Sequence, residues 1–165
     1  MKLGRIAAAA VLAASIPFVG TAQPAAAANT HTVTLQGTME VVECCGLFGA
    51  SDKQIRDINR SVRLTHGQAE LFKETVCAGG EARGELRVNV RVRSSEALVV
   101  VPTLRLFEGS SCSNLDLDGQ GLGGGRNLPL GTAQTWVLNA FNNEFHSADY
   151  ASAWFSVIHK IGPGG

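Results

Sequence analysis

Leu86-Arg87-Val88-Asn89-Val90-Arg91-Val92-Arg93 alternates without a break between an aliphatic and a polar side chain. Successive side chains of a β-strand point to opposite faces, so these eight residues predict a strand with one core face and one wet, basic face. Working back toward the N-terminus, the same period governs residues 31–42. Val33, Leu35, Met39 and Val41 fall on one side, and Thr32, Thr34, Gln36, Thr38 and Glu40 on the other, with an interruption at Gly37. Residues 69–77 read as a further strand, because Gly79 and Gly80 just beyond them supply the positive φ angles of a hairpin turn. Val62 and Leu64 suggest another, interrupted at His66 and Gly67.

Working forward, residues 98–107 are nearly all apolar, as expected of a central strand, although Pro102 cannot donate to a ladder and implies an edge or bulge. Residues 135–141 and 151–161 continue the strand signal with Trp136, Trp154 and Phe155. Two stretches read differently. Ser51 and Gln54 resemble a capping box, which predicts a short helix through Asn59 with Ile55 and Ile58 inward. Residues 109–131 hold seven glycines among Ser, Asn and Asp and predict a long surface loop. Residues 142–150 are expected to form a connection or a short helix. Seven or so short strands without long helices predict an all-β, antiparallel β-sandwich with Greek-key or jelly-roll connections, with a closed β-barrel as the alternative. A C2-like or jelly-roll module is an analogy of architecture, and architecture does not carry function.

The N-terminus reads as an export signal. Lys2 and Arg5 precede an Ala-rich apolar run over residues 6–19, and small residues at 25–28 favour a cut between Ala28 and Asn29, with Ala22 and Ala27 as alternatives. Residues 1–28 are thus expected to be a signal peptide and 29–165 a single disulfide-stapled domain, secreted and without a membrane span once the signal is removed. The leader carries two of the 14 basic residues and no acid, so the remainder has 12 against 14. A net charge of −2 gives no electrostatic reason to expect nucleic acid as a partner. Cys44, Cys45, Cys77 and Cys112 are an even set, for which two disulfides are the expectation in an exported chain. Adjacent Cα atoms lie about 3.8 Å apart, below the usual disulfide window of roughly 4.4 to 6.8 Å. Bridges from Cys44 and Cys45 to Cys77 and Cys112, in some order, are therefore favoured over a vicinal pair.

Asn114, Asp116, Asp118 and Gly119 match the first half of a calcium loop, in which oxygen ligands at alternate positions converge on a hard cation. Gly125 stands where the bidentate Glu belongs, so an EF-hand is excluded; a loop-borne calcium site completed by Glu108 or by carbonyls remains an expectation. An Asp-Gly turn on an exposed loop explains the same residues more simply. Gly119, Gly121 and Gly124 satisfy G-x-G-x-x-G but lack the strand-helix context of a dinucleotide site, and read as loop flexibility.

Arg87, Arg91 and Arg93 form a stripe that can grip a carboxylate or sulfate polymer, or pair across strands with glutamates. Trp136, Trp154 and Tyr150 can stack on sugar rings or fill the core. His146 and His159 are present without a G-x-S-x-G elbow or an H-E-x-x-H motif, and His31 and His66 fall at strand ends where exposure is the ordinary expectation. The leading expectation is a secreted, non-catalytic module that binds or protects, with an extracellular ligand or protein as partner. Its rivals are a small exported hydrolase using His146 or His159, and a protease inhibitor presenting a loop braced by Cys112.

Overall fold

The computed structural model describes residues 29–44, 51–142 and 149–162, with the side chains of Asn114 and Leu115 outside that description. The predicted signal segment 1–28 and His146 also lie outside it. Nine strands carry the described chain: β1 (His31–Glu43), β2 (Asp52–Leu64), β3 (Ala69–Ala78), β4 (Ala82–Val92), β5 (Leu98–Ser111), β6 (Asn114–Leu122), β7 (Arg126–Leu128), β8 (Ala133–Phe141) and β9 (Tyr150–Ile161). Every ladder is antiparallel. One sheet has the order β2-β1-β9-β8; the other runs β3-β4-β5-β6, with β7 also paired to β5. The first joins two hairpins through β1 and β9, and the second is a meander. No ladder joins one sheet to the other, so the molecule is a sandwich and the barrel alternative is not realised.

The period-two reading holds where it was clearest. Val33, Leu35, Met39 and Val41 of β1 face Leu86, Val88, Val90 and Val92 of β4 across one buried interior. Phe155 fills its middle and stacks on Trp136 at 5.8 Å. Pro102 sits in the central strand without a lost bond, because the neighbour of β5 changes there from β6 to β7. Thr103 pairs with Leu122 and Val100 with Arg126, while the Pro102 carbonyl accepts from Gly123 N at 3.1 Å. The missing N–H therefore faces a gap in the ladder.

Three expectations are corrected. Residues 52–59 are strand, not helix: Ile58 is 3% exposed and Ile55 59%, an alternation that the i, i+3 spacing of two isoleucines disguised. The predicted loop at 109–131 is mostly β6 and β7. Gly119 and Gly121 are not there for flexibility; a Cβ on either would collide with the carbonyl oxygen of Phe141 or Asn139 in β8. The two glycines let the edge of one sheet close against the edge of the other. On the opposite edge, Arg60 of β2 reaches Glu74 of β3 at 3.1 Å, and Arg56 donates to the Thr75 carbonyl at 2.8 Å.

The third correction is the disulfide. Cys77 pairs with Cys112 at a Cα separation of 6.2 Å, which rules out bridges from Cys44 and Cys45 to both of them. Cys77 ends β3 and Cys112 lies in the β5–β6 turn, and the meander brings both to one end of the same sheet. Cys44 follows β1 in the other sheet and is itself disulfide-bonded, whereas Cys45 lies outside the described residues.

Candidate binding face

The outward residues of β3, β4 and β5 meet in cross-strand rows. Ala69, Arg91 and Val99 form one, Leu71, Asn89 and Val101 the next, and Lys73, Arg87 and Thr103 a third. The predicted arginine stripe divides along this face. Arg87 joins Lys73 on the nearly buried Glu85, with Nε–Oε1 at 2.5 Å and Nζ–Oε2 at 2.8 Å. Burial works against the charge on Glu85, but the hydrogen bonds from Lys73 and Arg87 outweigh it and hold its pKa below the ordinary glutamate value. Arg83 is also engaged, lying over the Phe107 ring at 4.7 Å and donating to the Cys112 carbonyl at 3.0 Å.

Arg91 and Arg93 are exposed and enter no salt bridge among the described residues. They border a groove of about 870 Å³, lined by Leu71, Val99, Val101, Asn89, Glu70 and the His66–Gly67 turn. Leu71 is 41% and Val101 40% exposed, so its floor offers apolar surface to solvent beside two free guanidinium groups. A few polar groups over an apolar floor is the ordinary make-up of a ligand site of this size. Sequence reasoning found the arginines and missed the floor, since Val99 and Val101 read as part of a fully covered strand.

The predicted calcium residues lie elsewhere. Asp116 and Asp118 are in β6, an extended strand, and Gly119 makes no turn; the side chain of Asn114 is outside the described residues. Among the described residues, no group of three or more His, Cys, Asp or Glu is placed to hold a metal ion. At the rim, Asp118 does approach Glu108, together with Asp149, whose Oδ1 accepts from Cys44 N. Burial first, then the charges of Asp149 and Asp118, push the Glu108 carboxyl up to about 7, against an opposing hydrogen bond from the Asn142 amide.

With a folded pKa above the unfolded one, the stability that Glu108 contributes as a neutral acid is complete below about pH 4.5 and is lost as pH rises through about 7. Glu108→Gln keeps a neutral acceptor for Asn142. It is expected to raise stability near neutral and alkaline pH by about 1 to 2 kcal/mol, after allowance for solvent screening, and to change little in acid. Urea unfolding of both proteins across this range checks it. Equal differences at every pH would contradict it.

The histidines correct another expectation. His31 and His159 are fully buried, with His31 Nδ1 and His159 Nε2 at 2.9 Å and His159 Nδ1 at 3.2 Å from the Leu128 carbonyl. Because a carbonyl only accepts, His159 holds its proton on Nδ1 and its Nε2 accepts from His31. Burial lowers the pKa of His159, which favours its neutral form. No substrate can reach His159, so the hydrolase reading loses that residue. The inhibitor reading loses its long loop, for Cys112 lies in a tight turn between β5 and β6. The aromatic residues separate as well: in the β2-β1-β9-β8 sheet, Trp136 is core at 5% exposure, whereas Trp154 stands on the outer face at 58%. No protein-family model and no curated protein matches the chain, and the reading of this face rests on its own residues.

Proposed function

We propose that this protein is a secreted, non-catalytic binding module that takes an anionic extracellular ligand in the groove over β3, β4 and β5. The observation that carries the reading is the contrast on one sheet face between Lys73 and Arg87, neutralised by Glu85, and Arg91 and Arg93, which enter no salt bridge among the described residues and border an exposed apolar floor. A guanidinium presents a planar fork of donors that matches carboxylate and sulfate oxygens, so two of them near a groove suit a polymer with repeating anionic groups. Leu71, Val99 and Val101 then cover the apolar part of such a ligand. Export is supported by the leader-like residues 1–28 and by the Cys77–Cys112 disulfide, which favours an oxidising location. No helix among the described residues is long and apolar enough to cross a membrane.

Chromatography on heparin-bearing and polygalacturonate-bearing resins tests this. The protein is expected to be retained at low salt and released as salt screens the pairs. Charge-assisted hydrogen bonds contribute about 1.5 to 3 kcal/mol, so Arg91→Ala and Arg93→Ala should each weaken binding about tenfold or more. Passage of the wild type through both resins, or undiminished retention of the double variant, overturns the reading.

A further inference from the structure

We infer a second binding face on the opposite side of the sandwich, where β1, β9 and β8 present an aromatic platform for a neutral polysaccharide. Trp154 occupies its centre. Thr38 of β1 and Val137 of β8 flank it in register, and Ser152 and Ser156 precede and follow it on the same face of β9. Phe141 and Tyr150 lie one step further along, with ring centroids 6.3 Å apart. Trp154, Val137 and Phe141 are all more than half exposed, although each is large and apolar and the interior is already filled by Trp136 and Phe155.

The chemistry of the surroundings selects the occupant. Hydroxyl and amide groups surround the tryptophan: Thr38, Ser152, Ser156, Thr135 and Asn139 project from the same outer face, and the Thr135 and Ser156 hydroxyls lie 2.7 Å apart. The charge on this face of β1, Glu40, is taken up by Lys53 at 2.8 Å and by the Tyr150 hydroxyl at 2.6 Å. Around Trp154 the outward side chains of β1, β9 and β8 thus present no unpaired charge, which complements an uncharged ligand; Asp57 of β2, the partner of Thr38, stands beyond them in the same row. A pyranose has an apolar C–H face to lie on an indole and equatorial hydroxyls to meet Ser, Thr and Asn. A protein partner or a second copy would call for a larger continuous apolar core than Trp154 with Val137, which the polar row of Asn139 and Ser152 separates from Phe141 and Tyr150. Tyr150 and Trp154 are four residues apart on one strand, about 13 Å, so sugars at two positions along one chain can be met at once.

This site is independent of the arginine groove, and the experiment separates them. Binding isotherms are measured with microcrystalline cellulose, chitin and granular starch as probes, for the wild type, Trp154→Ala, Trp154→Phe and the Arg91→Ala/Arg93→Ala double variant. Trp154 is exposed, and its replacement leaves the core intact. The wild type is expected to bind at least one of these polymers, with retention persisting at about 1 M salt, where ionic contacts are screened. Trp154→Ala should weaken that binding at least tenfold, Trp154→Phe should retain part of it, and the arginine variant should bind as the wild type does. Absence of wild-type binding to all three polymers, or equal binding by Trp154→Ala, overturns the inference. So does a concentration-dependent dimer in sedimentation that Trp154→Ala abolishes, since the face would then belong to a second copy.

Discussion

Replacing Cys77 and Cys112 together by serine is expected to destabilise the protein by about 4 kcal/mol, the chain-entropy value for a closed loop of this length. The bridge spans 35 residues of sequence, and it ties the end of β3 to the β5–β6 turn across the intervening β4. Without it, the unfolded chain regains the freedom of that loop, while the native ladders of the meander remain. Changing both residues avoids a free thiol that could exchange with the disulfide at Cys44. Urea unfolding without reductant reads the loss as a lower midpoint. A loss under about 1 kcal/mol would mean that the unfolded state is scarcely constrained by this pair. Peptide mapping of the native protein should recover Cys77 joined to Cys112.

The second large effect is expected at the seam between the sheets. Gly119→Ala and Gly121→Ala each place a methyl group against a carbonyl oxygen of β8, and neither backbone can yield without opening the edge. Overpacking of this kind typically costs 1 to 3 kcal/mol per site, so the double variant should lose about 3 kcal/mol or more. Amide exchange along β8 should accelerate with it. Gly125→Ala is the control, because a Cβ there meets only ordinary contact with Val101. If the double variant unfolded like the control, the close approach of β6 to β8 would be wrong.

These two cases also mark where the sequence is legible. Alternation in β1 and β4 reports burial directly, since one face of each strand is core and the other is not, and the buried residues there are those the pattern picks out. β6 shows no such signal. Two Asp and two Gly, both poor strand formers, interrupt it, Leu117 and Leu122 are exposed, and its glycines answer a neighbour that is local only in space. β2 misleads because Ile55 and Ile58 have helical spacing while only Ile58 reaches the core. The disulfide pairing was hidden for a related reason: four cysteines allow three connectivities, and strand order alone decides which ends meet.

The candidate face was half legible. Arg87, Arg91 and Arg93 could be placed on one side of a strand from their spacing, but which of them is neutralised depends on Glu85, two residues before Arg87 on β4, being nearly buried and shared with Lys73, which the register brings over from β3. Trp136 and Trp154 have opposite fates for the same reason. Both sit in strands, and only the phase of each strand relative to the interior puts one in the core and the other outside.

Buried His159 gives the pH behaviour a sign opposite to that of Glu108. The lowered pKa of His159 leaves stability present above its unfolded value of about 6.5 and removes it as pH falls through the folded one. The Glu108→Gln comparison is a difference between two proteins that share His159, so this contribution cancels.

The most direct measurement of the proposed anionic site is a two-dimensional amide NMR titration with a short sulfated or uronic-acid oligosaccharide. Shifts concentrated at Leu71, Asn89, Arg91, Arg93, Val99 and Val101, saturating with ligand and absent from Arg91→Ala/Arg93→Ala, are the predicted result. Saturable shifts gathered elsewhere on the sandwich, or none, would contradict the account.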